Sequence, residues 1–411
     1  MSRYDAIILG GGPAGSTAAA VLARAGRRVV VVEKEKFPRF HIGESLLPYN
    51  RGLFEEIGVW PKLARAGFVT KLGARFELGS GERATRLAFR NGAFNQFTEA
   101  IHVERAEFDE ILLRHAADLG AEVREGCAAT GFAIGAESAR VRLAGGDELE
   151  ASMVLDATGI VNFTGNLEGI RRPHEGLRKV AIFGHFRGVA LLEGEESGDI
   201  AIVRLKRGWV WLIPIGADKV SVGLVIDAAD RQADRRPADA IFAEAMDSAP
   251  ALQRRMGAAQ PLAPLRSLAD FSYRNERFAS PRLIRIGDAA GFLDPIFSSG
   301  VYLAMHSGRD GARAALRAID AGVAYHGAMR RYETRLRRSM GIYLRMIEQF
   351  YTKSFIQVLL EPKETFRLAS AVNTVLAGNI GGGFPVWWRL KVFFGIVGLQ
   401  KRLPLVERVE V

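Results

Sequence analysis

Six residues near the start of the chain have the spacing of a dinucleotide-binding turn. Residues 10–15 read GGGPAG and match the pattern G-x-G-x-x-G. In this pattern Gly10 permits the tight turn, Gly12 lets the backbone approach a pyrophosphate, and Gly15 lets the next helix pack close to the strand. The helix amino terminus offers free N–H groups and a partial positive charge to the phosphates. The chemistry predicted here is therefore the binding of a phosphate-bearing cofactor.

An acidic residue at the right distance indicates the same ligand. Glu33 ends an apolar run and lies 21 residues after Gly12, where a carboxylate can hold the two hydroxyls of a ribose. A glycine turn without a ligand is the alternative. That alternative does not require a strand, a turn, a helix, a second strand and an acid in this order, so we favour the dinucleotide.

A distal segment indicates which dinucleotide binds. Residues 282–295 read RLIRIGDAAGFLDP, and a strand that ends in Gly-Asp can place the Asp288 carboxylate near a ribityl chain or the pyrophosphate. Gly291 is expected to begin a second helix. The glycines at 381–383 follow no strand and are expected to form a flexible turn. One nucleotide domain plus a distal Gly-Asp segment favours a tightly held FAD over a transient nicotinamide.

The elements that must position these residues belong to an α/β fold. Apolar runs at 4–9 and 28–32 flank a small-residue helix over 13–25, which is the βαβ start of a parallel sheet. Alternating apolar and polar residues over 179–227 predict an antiparallel sheet, the floor of a substrate domain. A long helix is predicted over 300–321. Further helices and an aromatic, glycine-containing tail follow.

The 411 residues divide into three expected parts. A discontinuous FAD-binding domain comprises residues 1–72, 99–178 and 275–325. An antiparallel-sheet substrate domain comprises residues 73–98 and 179–274. A helical, basic C-terminal region comprises residues 326–411.

Short motifs beyond the glycine turn make the chain similar to a known group of flavoproteins. They are FPR at 37–39, GES at 43–45, VER at 103–105, FD at 108–109, DATG at 156–159 and GD at 287–288. They resemble the aromatic-hydroxylase-like FAD monooxygenases and geranylgeranyl reductases, over about three quarters of the chain. The resemblance implies a Rossmann-like FAD domain of the glutathione reductase and p-hydroxybenzoate hydroxylase type (GR2/PHBH). The cofactor-binding residues that it implies are Gly10, Gly12, Pro13, Ala14, Gly15, Glu33, Lys34, Arg39, Ser45, Arg105, Asp288, Pro295 and Gly300.

Three further segments are similar to the flavin-dependent halogenases within this group. GWVWLIP at 208–214 matches their W-x-W-x-I-P signature, KLGARF at 71–76 carries a lysine where they have one in the active site, and DPIFSSGV at 294–301 is close to their halide-binding segment. The resemblance implies Lys71 as the catalytic residue and Ser299 and Gly300 as halide-binding residues. It also implies a substrate tunnel lined by Trp209, Trp211, Pro214 and Phe297. No metal site is predicted.

Phe297 departs from the halogenases that act on tryptophan, which carry a glutamate there. Halogenases of phenols and pyrroles also lack that glutamate, so the resemblance is to their branch, although they usually have a longer C-terminal region. Without this carboxylate the substrate ring must be activated by itself. A phenol, a pyrrole or an acyl group on a carrier protein meets that condition.

The implied reaction consumes FADH2, O2 and chloride or bromide. Reduced flavin and O2 give a C4a-hydroperoxide, and a halide held by backbone N–H groups attacks its terminal oxygen to give a hypohalous acid such as HOCl. A buried lysine has a lowered pKa and can hydrogen-bond the oxidant or form a haloamine, which is the role expected for Lys71. Three other functions remain open on the sequence: a monooxygenase that hydroxylates an aromatic ring, a reductase of lipid-like alkenes, and a non-catalytic flavin-binding paralogue.

The distribution of charge along the chain indicates which partners to expect. The net charge is +10, and residues 326–411 hold 14 Lys and Arg against six Glu. Five arginines in this region either dock an acidic acyl carrier protein or form a solvated helix face: Arg330, Arg331, Arg335, Arg337 and Arg338. No nucleic-acid motif accompanies the charge, so nucleic acid is not an expected partner. A separate flavin reductase and a small aromatic or carrier-tethered substrate are the expected partners.

The expected location is cytoplasmic. Charged residues precede the first short apolar run, no run reaches the roughly 18 residues of a spanning helix, and the single cysteine, Cys127, cannot form an internal disulfide. The tail over 384–406 mixes aromatic and basic residues. It could lie on the inner face of the membrane, cap the substrate pocket or pack in a dimer interface.

Overall fold

The structure is a computed structural model, and it describes residues 3–269, 272–361 and 365–408. In chain order its strands are β1 (Tyr4–Leu9), β2 (Val29–Val32), β3 (Val69–Lys71), β4 (Gly73–Leu78), β5 (Ala84–Ala88), β6 (Ala100–His102), β7 (Glu122–Arg124), β8 (Ala129–Ile134), β9 (Ala139–Leu143), β10 (Glu148–Asp156), β11 (Arg171–Pro173), β12 (Lys179–Arg187), β13 (Ile200–Leu205), β14 (Gly208–Gly216), β15 (Lys219–Asp227), β16 (Gln260–Pro261), β17 (Arg266–Ala269), β18 (Tyr273–Asn275), β19 (Ala279–Ser280), β20 (Leu283–Arg285) and β21 (Gly291–Phe292). Its α-helices are α1 (Pro13–Arg24), α2 (Asn50–Ile57), α3 (Trp60–Arg65), α4 (Arg105–Asp118), α5 (Phe163–Leu167), α6 (Ala228–Ala233), α7 (Ala238–Asp247), α8 (Pro250–Met256), α9 (Ser299–Asp320), α10 (Gly327–Phe350), α11 (Lys353–Leu360), α12 (Leu368–Leu376) and α13 (Gly383–Gln400).

The first large sheet carries the glycine turn. Its strand order is β19-β20-β10-β1-β2-β7, and β20, β10, β1, β2 and β7 run parallel. The apolar runs of β1 and β2 are buried along nearly their whole length, as parallel strands covered on both faces require. The α/β fold with a Rossmann-like sheet is thereby confirmed. An antiparallel extension of β8 and β9 joins this sheet through β10.

The second large sheet has the order β16-β12-β15-β14-β13-β4-β5, with β17 also paired to β12. Neighbours among β12, β15, β14 and β13 run antiparallel, which confirms the antiparallel sheet predicted over 179–227. One face of this sheet packs against α7 and α8, where Phe186 stacks on Phe242. The opposite face presents Phe183, Trp209 and Trp211 to the site described below.

Small residues allow α1 and α9 to pack in close contact. A Cβ added to Gly308 would lie 2.4 Å from the carbonyl oxygen of Ala14 in α1. One added to Gly311 would lie 2.6 Å from Ile286, which follows β20, so α9 also packs closely on the first sheet. Only residues without bulk fit this interface. As a result both helices begin at the same cavity, which Pro13, Gly300 and Val301 help to line.

One expectation about local structure was wrong. Gly291 lies in β21, paired with β18, and the next helix begins at Ser299. A Cβ on Gly291 would lie 2.9 Å from the Tyr273 carbonyl oxygen, so this glycine serves close strand packing. The aromatic tail forms a helix, α13, inside the C-terminal region that was expected to be helical, and it begins at Gly383, the last residue of the expected turn over 381–383. Its glycines and aromatic residues are weak helix formers, but burial of Val386, Phe393 and Val397 supplies the stabilisation that the local sequence does not. None of the described helices is both long and apolar enough to cross a bilayer.

Candidate functional site

A cavity of about 570 Å³ is lined by residues from both large sheets. It lies at the carboxyl ends of β1, β2 and β10, where ligands of open α/β sheets bind. Fourteen of the residues predicted at the site line it: Gly10, Gly12, Pro13, Ala14, Glu33, Lys34, Arg39, Ser45, Arg105, Trp209, Trp211, Asp288, Pro295 and Gly300. The structure therefore brings together residues that are up to 290 positions apart in the sequence.

The glycine turn leaves space in the cavity that protein atoms do not fill. Gly10 has φ +103°, and a Cβ there would lie 2.4 Å from the Ala157 carbonyl oxygen; a Cβ on Gly15 would lie 1.9 Å from that of Gly10. These two glycines are required by the fold itself. A Cβ on Gly12 would meet only an Arg39 nitrogen, at 3.4 Å. Gly12 precedes the first turn of α1, which no side chain caps, so the backbone there is open to a phosphate-bearing ligand.

Glu33 is held rigidly beside this turn. It is 5% exposed, and its carboxylate accepts hydrogen bonds from the Gly11 N–H at 2.7 Å and the Glu35 N–H at 2.9 Å. A carboxylate has about four acceptor positions, so two remain for the hydroxyls of a ribose. Lys34 lines the same end of the cavity.

Asp109 fixes both arginines that the sequence placed at the cofactor. Its carboxylate accepts from Arg105 at 2.8 and 2.9 Å and from Arg39 at 2.9 Å. Burial acts to raise the pKa of Asp109, but the two guanidinium groups outweigh it and hold that pKa below its ordinary value. Asp109 belongs to the FD motif at 108–109, but no role was predicted for it from the sequence; it lies four residues after Arg105, one turn along α4.

The Gly-Asp segment places a second carboxylate at the cavity wall. Burial raises the pKa of Asp288 to about 7, while Arg105 acts to lower it. Asp288 also accepts a hydrogen bond from Tyr273 Oη, at 2.6 Å, through its backbone carbonyl oxygen. The Asp288 side chain is thus free to act as a donor or an acceptor toward a bound polar group near neutral pH.

The segment expected to hold a halide begins helix α9. Ser298 has φ +55°, in the left-handed region that non-glycine residues rarely occupy. Ser298 and Gly300 line the cavity, and a Cβ on Gly300 would meet no heavy atom within 4 Å. Ser299, which the sequence had assigned to the halide, is 1% exposed and lies behind this wall. Its neighbour Ser298 takes the lining position.

Lys71 lies one hydrogen bond behind the cavity wall. It is 2% exposed, and Nζ donates to Ser45 Oγ at 2.8 Å and to the Leu46 carbonyl oxygen at 3.2 Å. Ser45 itself lines the cavity. Burial lowers the pKa of Lys71 to about 7, and Asp199 only partly opposes this. Lys71 is thus buried as expected, and a pKa of about 7 allows a neutral amine near physiological pH.

An aromatic wall separates the cavity from the C-terminal helices. Trp209 and Trp211 alternate along β14 and face the same side, with ring centroids 5.8 Å apart. Phe297 is 4% exposed and packs edge-on against Phe350 at 5.8 Å. Phe297 and Pro214 are buried in the layer behind the cavity lining.

Two hydrogen-bonded groups at this site were missed by the sequence reasoning. Glu44, which lines the cavity, pairs with His185 Nε2 at 2.5 Å, and its other carboxylate oxygen is buried without a hydrogen-bond partner. Trp209 donates to Tyr351 Oη at 2.9 Å, which in turn donates to the buried Asp294 at 2.7 Å. Each pair joins residues more than 50 positions apart, so no local sequence signal could reveal it.

The chain that carries this glycine turn, buried lysine and pair of tryptophans is similar to known proteins. A sequence profile of the tryptophan halogenases matches residues 5–93 and 81–355. The chain belongs to the tryptophan halogenase family. It is accordingly an FAD-dependent oxidoreductase, and the reaction of this family uses FAD, a halide and O2.

Individual relatives agree with this assignment. The chain is 30% identical over 408 residues to a 1H-pyrrole-2-carbonyl-(peptidyl-carrier protein) chlorinase of Pseudomonas fluorescens, covering 92% of this chain and 90% of the relative. It is 33% identical over 336 residues to the corresponding brominase of Pseudoalteromonas luteoviolacea, covering 77% and 78%. The structure of the flavin-dependent brominase Bmp2 superimposes with a TM-score of 0.85 at 29% identity, covering 98% of this chain and all of the other.

Proposed function

We propose that this halogenase acts on an electron-rich aromatic ring. The ring is a pyrrole that is carried as an acyl group on an acyl carrier protein, and a separate reductase supplies the FADH2. The observation that carries the proposal is the buried Lys71 amine one hydrogen bond from the cavity, in a site where position 297 is phenylalanine. Two relatives named for carrier-tethered pyrroles support the substrate class.

The residues at the cavity have distinct roles in this proposal. Reduced FAD, when bound, would supply the two electrons with which O2 is activated to oxidise halide to a hypohalous acid. The turn at Gly12 and the arginines fixed by Asp109 hold its phosphates, and Glu33 holds the ribose. The start of α9 beside Ser298 would hold the halide through the backbone N–H of Gly300, because the Ser298 N–H already donates to the Pro295 carbonyl oxygen.

Lys71 directs the oxidised halogen to the ring. Its neutral amine lies behind Ser45, so it reaches the oxidant by exchanging its hydrogen bond to Ser45 Oγ for one to the oxidant, or by forming a haloamine with it and releasing water. Burial otherwise keeps the amine from being hydrated. Trp209, Trp211 and the Phe297–Phe350 pair form an apolar wall that confines the oxidant and excludes water. A pyrrole needs no carboxylate beside it for activation, in agreement with phenylalanine at position 297.

Mass spectrometry of product formation tests the substrate class. The protein is supplied with reduced FAD, O2 and bromide, and with one of three substrates: a pyrrole-2-carbonyl carrier protein, free pyrrole-2-carboxylate or tryptophan. We expect the brominated carrier-bound pyrrole as the main product. Bromination of free tryptophan alone would contradict the proposal, and a hydroxylated ring would instead support the monooxygenase. In a separate reaction without O2, reduction of an added lipid-like alkene by the reduced protein would support the reductase.

A further inference from the structure

The solvent-facing side of the last helix is apolar. α13 buries Val386, Phe393, Val397 and Gln400. Its exposed positions are Gly383, Phe384, Pro385, Trp387, Lys391, Val392, Gly395, Gly398 and Leu399. From Phe384 onward these positions recur every three or four residues, so they lie on one side of a helix with 3.6 residues per turn. Phe384 is 71% exposed and stacks on Trp387, which is 50% exposed. The helix is thus apolar on both sides, although only one side contacts the rest of the protein.

The segments that flank α13 enlarge this surface. Arg389 donates to the Phe366 carbonyl oxygen, which places the 70% exposed Phe366 beside the helix. After the helix, Gln400 accepts from the backbone N–H groups of Leu405 and Val406 and folds the chain back. We call the following residues the C-terminal face: Phe366, Phe384, Trp387, Lys391, Val392, Leu399, Lys401, Arg402, Leu403 and Leu405.

Composition sets the C-terminal face apart from the rest of the chain. Residues 366–406 contain five Lys and Arg and no Asp or Glu. Seven of the 15 large apolar side chains that are exposed in the described part of the chain lie between Phe366 and Leu405. Helix α10 shows the ordinary pattern, because its exposed positions include Arg330, Arg331, Arg335 and Arg338. An exposed apolar patch of this kind marks a surface that something covers.

We propose that the C-terminal face rests on the surface of a bilayer that contains anionic phospholipids. Aromatic and aliphatic side chains on one side of a helix enter the interfacial region, and nearby basic side chains pair with the phosphates. Lys391, Lys401 and Arg402 are exposed beside Trp387 and Leu403 and can make these pairs. Since no described helix can cross a bilayer, the contact is peripheral.

Charge and position disfavour the other occupants. In a symmetric dimer through this face, basic residues would meet basic residues with no carboxylate from residues 366–406 to pair with them. A carrier protein must deliver its acyl group to the cavity, but the described residues that line the cavity end at Ala304 and include none of the C-terminal face. The carrier dock expected on α10 is a different surface, whose exposed positions include basic residues but lack the exposed aromatic side chains of the C-terminal face.

Flotation with lipid vesicles tests the proposal on the full-length, FAD-loaded protein. We expect it to float with vesicles of phosphatidylcholine and phosphatidylglycerol, to stay behind with pure phosphatidylcholine, and to be released by high salt. The double variant Phe384→Glu/Trp387→Glu should lose binding by at least ~10-fold. A matched control, Leu167→Glu/Leu262→Glu, changes two exposed leucines elsewhere (59% and 47% exposed) and should bind like the wild type.

A second variant separates lost binding from lost folding. Lys391→Glu/Lys401→Glu/Arg402→Glu changes only exposed side chains. This variant should therefore keep the melting temperature and flavin absorbance of the wild type but no longer bind anionic vesicles. The proposal would be refuted if the wild type does not float, or if the wild type and this triple variant float equally with anionic vesicles. If the wild type is a dimer and Phe384→Glu/Trp387→Glu is a monomer, the face binds a second copy of the chain instead. If that variant alone loses binding of the carrier protein, the face binds the carrier instead.

Discussion

Lys71 is the residue on which the proposed chemistry depends most. We predict that Lys71→Met reduces halogenation by at least ~100-fold, since the neutral amine is a nucleophile that methionine cannot replace. FAD binding should be unchanged, because Lys71 contacts the cavity only through Ser45. Flavin fluorescence titration and product mass spectrometry measure the two effects. Undiminished halogenation would remove Lys71 from the mechanism, and joint loss of FAD would show a structural role.

Burial of Lys71 also predicts a pH dependence of stability. Its pKa is about 7 in the folded protein and about 10.4 in an unfolded chain. Between these values the unfolded state binds more protons, so the lysine's contribution to stability rises as the pH increases from 7 to 10 and is constant below 7. Urea denaturation of the wild type and Lys71→Met across this range should show the wild type gaining relative stability with pH. A constant difference would show that Lys71 is hydrated.

At the scale of elements, the glycines of the first turn have two different roles. Gly10 and Gly15 are needed by the fold, whereas Gly12 is left free for the ligand. We predict that Gly15→Ala lowers stability markedly, because its Cβ would lie 1.9 Å from the Gly10 carbonyl oxygen. Gly12→Ala should leave the melting temperature almost unchanged, because only the Arg39 side chain is near, but it should weaken FAD at least ~10-fold by blocking close approach of the pyrophosphate.

Thermal denaturation of the apoproteins and flavin titration measure these two variants. If Gly12→Ala binds FAD as tightly as the wild type, the phosphates do not lie on the start of α1. If it unfolds like Gly15→Ala, the turn serves packing alone.

The elements that the sequence predicted well are those with a local signal. The first βαβ unit and the antiparallel strands over 179–227 have strong periodicity and glycine punctuation, and both were predicted. The bounds of helix α13 were not predicted, although its region was expected to be helical, because its stability comes from burial against α11 and α12. Strand β21 was missed because its glycine serves a contact with Tyr273. Similarly, the Glu44–His185 and Trp209–Tyr351–Asp294 groups depend on long-range register, which periodicity does not contain.

At the scale of the whole molecule, basic charge is distributed over two surfaces. Arg335 and Arg338 on α10 are exposed and belong to the proposed carrier dock. We predict that Arg335→Glu/Arg338→Glu raises KM for a pyrrole-2-carbonyl carrier protein at least ~10-fold, with a stronger effect at low salt. The rate with a free phenol should not change. Equal effects on both substrates would indicate damage to the active site, and no effect would indicate a solvated helix face.

A single-turnover reaction tests the central claim that this protein oxidises halide with a bound flavin and transfers the halogen to carbon. The protein is loaded with FAD, reduced by light without a reductase, and mixed with O2, bromide and a pyrrole-2-carbonyl carrier protein. We expect one brominated ring, recognised by its isotope doublet in the mass spectrum, for each reduced flavin. A hydroxylated ring, or hydrogen peroxide released beside unchanged substrate, would contradict it.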